Sequence, residues 1–295
     1  MHAFGFHAPT ANVKPARSWL FVPGDSARKI ERALPGEADA LIFDWEDAVA
    51  PAAKAAAREI TVGALAAARP DAARCWIRVN ALDSPHFAAD LAGLPVASIT
   101  GVVLPKACGV ADIERLGRAL SSAEAAAGLL SRQLGIVSIA TETAASVLAL
   151  TEFRGPVQRL KGLMWGAEDL AGDLGVARNR DASGAYRAPF ALARNLTVMA
   201  AGAAECSAID AVCVDFRDTD ALAAEAAEAR ADGFVAKAAI HPDQVAPINR
   251  AFAATADERA WAERVVAAME GGGLAVVDGR MIDAPHLRLA RRILS

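Results

Sequence analysis

Eight short, mainly apolar runs recur along this chain, each followed by a polar residue and then by a stretch of helical character. They are Ser18–Val22, Ala38–Phe43, Cys75–Val79, Gly101–Leu104, Ile136–Ala140, Gly162–Gly166, Ile209–Val214 and Phe234–Ile240. Runs of this length read as buried strands, and strands alternating with helices build parallel sheets. The rhythm predicts a (β/α)₈ TIM barrel, a fold of about 250 residues. A doubly wound open sheet is the alternative, but no G-x-G-x-x-G follows the first run. Glu46, Asp47, Arg78, Asn80, Lys106, Glu142, Asp169, Asp215 and His241 all fall at or just beyond strand C-termini. In a barrel these positions ring one mouth, the end that carries active sites.

The segment from Gly135 to Gly175 is the most informative unit, with a helix predicted over Thr143–Phe153 between two runs. A right-handed crossover sets the two strands side by side and parallel, roughly 4.8 Å apart. Glu142 and Asp169 then converge at one sheet edge, where a cation such as Mg²⁺ would relieve their repulsion. The bland reading is that both are first-turn acids favoured by helix N-termini, with Thr141 as a cap for the first helix.

Composition narrows the function classes. A formal charge of −4 with no basic face argues against a nucleic-acid binder. The absence of an 18-residue apolar run argues against a membrane-spanning helix. Cys75, Cys108, Cys206 and Cys213 have no C-x-x-C or metal-ligand spacing and read as reduced thiols, in keeping with a cytoplasmic protein. The start, MHAFGFHAPTANVK, has no apolar core of a secretion signal.

Beyond the eighth repeat a tail remains. We read residues 1–250 as the barrel and 251–295 as a C-terminal helical extension. Within it Thr255–Met269 reads as a helix, Gly271–Gly273 as a break, Val276–Arg280 as a hairpin with Asp-Gly at the turn, and Met281–Leu294 as a basic-ended helix.

RSWLFVPGDSARKIERAL, ADALIFDWEDAVAP, WIRVN, GVVLPKA, GLMWGAEDLAGDLG, KAAIHPDQ and GRMIDAP, in this order, closely resemble the citrate lyase β-subunit-like proteins. These belong with the malyl-CoA and citramalyl-CoA lyases in the HpcH/HpaI aldolase group of the phosphoenolpyruvate/pyruvate superfamily. The resemblance implies a Mg²⁺ cofactor held by Glu142 and Asp169, Arg78 on a substrate oxygen with Glu142 bordering it, and Glu46 and Asp47 as an acidic pair beside the metal waters. It implies contacts to the CoA thioester from Phe21, Arg32, Ile240 and His241. Asp283 matches an aspartate that a C-terminal lid brings to a neighbouring subunit, in a trimer or hexamer. Two positions depart from the pattern: Ala236 replaces a glycine, and Ser26 stands where some relatives have a basic CoA contact.

The reaction so implied is cleavage of a 3-hydroxy-acyl-CoA thioester into an acyl-CoA and a 2-oxo acid. Asp283 is the expected acid for the enolate carbon, and Lys106 is expected to pair with an acid. Rival roles are an Arg78 ion pair with Glu46 or Asp47, a packed His241, and Asp283 as a helix N-cap. Rival functions are a citrate lyase β-subunit acting on an acyl-carrier-protein thioester, and a class II aldolase for free hydroxy-oxo acids.

Overall fold

The computed structural model describes residues 16–71, 74–130 and 133–294. They form two compact units, divided between Phe252 and Ala253.

The first unit begins β1 (Ser18–Pro23), α1 (Ala27–Ala33), β2 (Ala40–Asp44), α2 (Lys54–Ala68), β3 (Cys75–Arg78), α3 (Phe87–Gly93), β4 (Gly101–Leu104) and α4 (Val110–Ala126). It continues β5 (Gly135–Ile139), α5 (Ala144–Ala149), β6 (Leu160–Met164), α6 (Ala167–Asp173), α7 (Ala188–Ala203), β7 (Ser207–Asp210), α8 (Thr219–Asp232), β8 (Ala236–Ala239) and α9 (Val245–Ala251). The eight strands pair in sequence order, all parallel, and β8 closes on β1 through Trp19↔Ala238. This is the TIM barrel that the strand rhythm predicts.

Strand alternation sorts the side chains into two layers. Ala40 and Ile42 of β2 join Trp19, Trp76, Val103, Val137, Met164 and Ile209 inside the barrel, whereas Leu41 and Phe43 pack outward against the helices. Each such aliphatic or aromatic side chain, fully buried, contributes roughly 1.5–3 kcal/mol. Trp19 and Trp76 sit near the starts of their strands with ring centroids 5.0 Å apart and fill the N-terminal end. Gly101 makes room for them, since a Cβ there would lie 2.6 Å from the Trp76 ring and 2.2 Å from the Gly135 carbonyl oxygen. The packed bottom leaves the C-terminal mouth as the open end.

Two expectations about the barrel need correction, and in the tail Met281 and Ile282, expected in the last helix, belong instead to the strand Arg280–Ile282. The seventh strand was expected over Ile209–Val214, ending at Asp215, but β7 stops at Asp210. Only Ile209 and Asp210 find partners on β8, and the Cys213 carbonyl instead accepts a hydrogen bond from Gln244 Nε2 at 2.8 Å. Asp215 therefore lies in a loop, not at a strand end. The helix after β5 begins later than expected and is capped by Thr143, not Thr141, in a reciprocal capping box with Ser146. A short 3-10 turn, Leu150–Glu152, completes that segment.

The second unit packs α10 (Ala256–Ala268), a hairpin of β9 (Ala275–Val277) and β10 (Arg280–Ile282), and α11 (Ala284–Leu294) around Ala262, Val265, Met269, Val277, Ile282 and Ala290. Asp278 and Gly279 both take positive φ, 50° and 73°, as a tight Asp-Gly hairpin turn requires. Among the described residues, no helix is long and apolar enough to cross a membrane.

Candidate active site

A cavity of about 280 Å³ opens at the C-terminal mouth, lined by Phe21, Asp44, Arg78, Glu142, Asp169 and Ile240 among others. The strand pairing explains the convergence. Asp44 ends β2 directly opposite Arg78 at the end of β3, while Ile139 and Met164 pair just before Glu142 and Asp169 leave β5 and β6.

Glu142 lies before the Thr143 cap and is only 2 % exposed, so it is not a first-turn acid serving a helix. Its Oε2 accepts the Lys106 backbone N–H in a short contact, and Oε1 is buried without any hydrogen-bond partner. Burial pushes its carboxyl up to about 8, with the nearby Asp169 and Glu46 charges adding to the effect against the Lys106 N–H and Arg78. Asp169 is exposed in the first turn of α6 and lines the cavity with Glu142. Lys106 has φ 54°, the left-handed region that a non-glycine residue seldom adopts, and its N–H donates to Glu142.

Arg78 packs its guanidinium 5.0 Å from the Phe21 ring centre. It donates from Nε (2.8 Å) and Nη2 (2.5 Å) to the two oxygens of Asp44. Its Nη1 lies 3.0 Å from Glu46 Oε2 without hydrogen-bond alignment. Lys106 Nζ grips Glu46 Oε1 and sits 3.2 Å from Asp47. The ammonium is therefore committed to carboxylates, which hold its pKa well above the usual lysine range despite desolvation. That arrangement disfavours a Schiff-base role. Desolvation raises the Glu46 carboxyl, while Lys106 and Arg78 bring the more open Asp47 below the usual range.

Other predicted residues fall elsewhere. Arg32 is exposed in the last turn of α1, outside the cavity lining. His241 caps a 3-10 turn and stacks on Phe216 with centroids 4.7 Å apart, beside exposed Val214 and Ile240. Asn80 is buried and donates to Trp45 O and Asp90, a packing role. Asp283 belongs to the second unit, where its backbone oxygen starts α11 and its Oδ1 lies 2.6 Å from His286 Nδ1. Asp44 was not among the residues singled out from the sequence.

Residues 17–242 match the HpcH/HpaI aldolase/citrate lyase family. The chain belongs to that family. A citrate lyase subunit beta-like protein of Mycobacterium tuberculosis is 35 % identical over 277 residues, covering 94 % of this chain and 93 % of that protein. A (3S)-malyl-CoA thioesterase of Cereibacter sphaeroides is 34 % identical over 286 residues, covering 95 % and 94 %. Among solved structures, protein CitE from M. tuberculosis in complex with magnesium, acetoacetate and coenzyme A superposes with a TM-score of 0.76 at 33 % identity, covering 95 % of this chain and 97 % of that one. Membership makes this chain an enzyme of a carbon–carbon lyase family, as the sequence resemblance implies.

The residues present suit Mg²⁺. The donors are hard carboxylate oxygens, and Glu142 Oε1 is a buried acceptor with nothing to accept. Among the described residues there is no group of three or more potential metal ligands. Two carboxylates nonetheless match this ion, which keeps several waters and takes one or two carboxylates from the protein.

Proposed function

We propose that this protein is a Mg²⁺-dependent lyase cleaving a 3-hydroxy-acyl-CoA thioester, of malyl, citramalyl or citryl type, into an acyl-CoA and a 2-oxo acid. The observation that carries the reading is the unpartnered Glu142 Oε1, buried in a cavity shared with Asp169 and Arg78. Glu142 and Asp169 hold the ion, which when bound acidifies the substrate hydroxyl and grips the oxo-acid product. Arg78 offers N–H groups to the oxygen that becomes the carbonyl as the C–C bond breaks. The hydroxyl gives up its proton to solvent as it becomes the carbonyl, the C–C bonding electrons pass to the carbon beside the thioester to form an enolate, and that carbon takes the proton of the Asp283 carboxylic acid. Phe21, Ile240, Val214 and the Phe216–His241 stack provide an apolar approach for a pantetheine arm. Arg32 on α1 is assigned to the outer part of the CoA.

Residues 253–295 act as a lid supplying Asp283 in trans within a cytoplasmic homo-oligomer, a trimer or hexamer. Asp283→Asn preserves a helix cap, since asparagine caps as well as aspartate. It should remove most turnover while leaving the melting temperature unchanged. Mixed oligomers of Asp283→Asn and Glu142→Gln chains should recover part of the activity; no recovery rules out action in trans.

The likeness to a (3S)-malyl-CoA thioesterase supports a second reading, hydrolysis of the thioester in the same cavity. Product analysis with malyl-CoA, citramalyl-CoA, citryl thioesters of CoA and of acyl carrier protein, and free 4-hydroxy-2-oxo acids separates these activities. An acyl-CoA with a 2-oxo acid supports the lyase, free CoA with the intact hydroxy acid supports hydrolysis, and turnover of the free acids alone overturns the CoA assignment.

A further inference from the structure

Asp44 is 1 % exposed, yet it ends a strand at the wall of the cavity. Its two oxygens take four hydrogen bonds. Oδ1 accepts from Arg78 Nε and from the Glu46 backbone N–H, both at 2.8 Å. Oδ2 accepts from Arg78 Nη2 at 2.5 Å and from the Ala48 backbone N–H at 3.1 Å. One carboxylate thus ties the arginine on β3 to the acidic loop that carries Glu46 and Asp47.

The fork has a consequence for what Arg78 can bind. A guanidinium has five N–H groups, and its Nε/Nη2 edge is one of the two edges that can meet a carboxylate in two parallel bonds. Asp44 occupies that edge, Nη1 faces Glu46, and the Phe21 ring lies against the group. The donors left over suit one substrate oxygen, not a second carboxylate taken along the same edge. Strand register enforces the arrangement, because Asp44 and Arg78 are direct neighbours on β2 and β3.

We propose that Asp44 is a positioning residue: braced by the backbone N–H groups of Glu46 and Ala48, it fixes the Arg78 guanidinium, so that Arg78 presents a fixed donor to a single substrate oxygen. The inference rests on the reading of Arg78 given under the proposed function. It predicts that Asp44 acts on turnover only through Arg78.

The test is a double-variant cycle with Mg²⁺ and malyl-CoA, citramalyl-CoA or citryl-CoA, whichever the unmodified protein cleaves. Asp44→Asn should lower kcat about 10–100-fold, the range seen when a group orienting an active-site residue is lost, with KM changed much less. Combined with Arg78→Lys it should cost nothing beyond Arg78→Lys alone. Losses that multiply, or an unchanged kcat in Asp44→Asn, overturn the proposal. Asp44→Glu keeps the charge that balances Arg78 but displaces the fork by one methylene, so it carries the same cycle should Asp44→Asn not fold.

If the unmodified protein cleaves none of these thioesters, the proposed reaction fails, and the positioning claim is then decided by NMR. The Arg78 Nε–H resonance, assigned by its absence in Arg78→Lys, should exchange slowly and should shift and broaden in the Asp44 variant. An unchanged Arg78 signal in a folded Asp44 variant contradicts the proposal without reference to any substrate.

Discussion

Two charged clusters stand on opposite arcs of this barrel, and they are balanced differently. Around β7 and β8, Lys237, Arg194 and Arg180 face Asp210, Glu225 and Asp232, three cations against three carboxylates. Lys237 is 0 % exposed, and its Nζ has three partners at 2.7 Å: Asp210, Glu225 and the Ala211 carbonyl. Asp210 also accepts from Trp165 Nε1 at 2.7 Å. Around β2 to β6, by contrast, Arg78 and Lys106 serve Asp44, Glu46 and Asp47, with the Glu142 and Asp169 carboxylates close by. That arc is short of positive charge and holds buried carboxylate oxygens without hydrogen bonds on Glu46 and Glu142. Buried ionic groups are tolerated when paired and costly when not. The closed cluster has the character of scaffold. The open one has the character of a functional site, with buried carboxylate oxygens of the kind that suit Mg²⁺.

The largest expected effect follows from the open arc. Glu142→Gln keeps an acceptor for the Lys106 N–H but removes the charge, and Asp169→Asn does the same at α6. Either should abolish Mg²⁺-dependent thioester cleavage with a melting temperature close to that of the unmodified protein. Full activity in both variants would break the contrast.

The closed arc should respond in the opposite sense. Lys237→Met leaves the buried Asp210 and the half-buried Glu225 without their shared cation, though Arg194 and Arg180 remain beside them, so the change should cost up to about 3 kcal/mol of stability. Urea unfolding measures it. A variant as stable as the parent would deny the cluster its scaffold role.

Of similar size, Arg78→Lys removes the fork and should lower kcat about 10²–10³-fold, the usual cost of one oxyanion donor. Steady-state kinetics reads this directly, and near-normal turnover would reduce Arg78 to an ion-pair partner.

The smallest effect is the pH dependence of the closed arc. Lys237 and Arg194 outweigh desolvation and hold the Asp210 carboxyl below the usual range. Its contribution is therefore complete above the unfolded carboxylate value of about 3.9 and is lost as pH falls through the lower folded value. The Asp210 and Glu225 charges likewise overcome desolvation to raise Lys237, whose contribution is complete below about 10.4 and is lost as pH rises through the folded value. Urea midpoints of the parent and Lys237→Met should differ by a constant amount near neutrality and converge toward acid. A gap that widens in acid would contradict this assignment.

Much of the fold was legible because each strand carries its own signal, a short apolar run ended by a charge. The seventh strand misled because Val212, Cys213 and Val214 look like a continuing strand, while strand length is set by neighbours on β8 that sequence does not display. Asp44 could have been found. Ala40 and Ile42 face the barrel interior, and the two-residue period carries Asp44 onto the same face, as it carries Arg78 from Trp76. The motif DWED drew attention to its second and third acids, Glu46 and Asp47, and away from the one still in the strand. The left-handed turn at Lys106 left no trace, since lysine is an uncommon residue for that conformation and nothing in the local sequence marks it. Likewise, Glu142 resembled a first-turn acid until Thr143 proved to be the cap.

The most direct measurement is calorimetric titration of Mg²⁺ into the folded protein and into Glu142→Gln, Asp169→Asn and Lys237→Met at a temperature where all remain folded. The account predicts binding by the parent and by Lys237→Met with similar affinity, and loss of binding in both carboxylate variants. Unchanged Mg²⁺ affinity in Glu142→Gln and Asp169→Asn would contradict it.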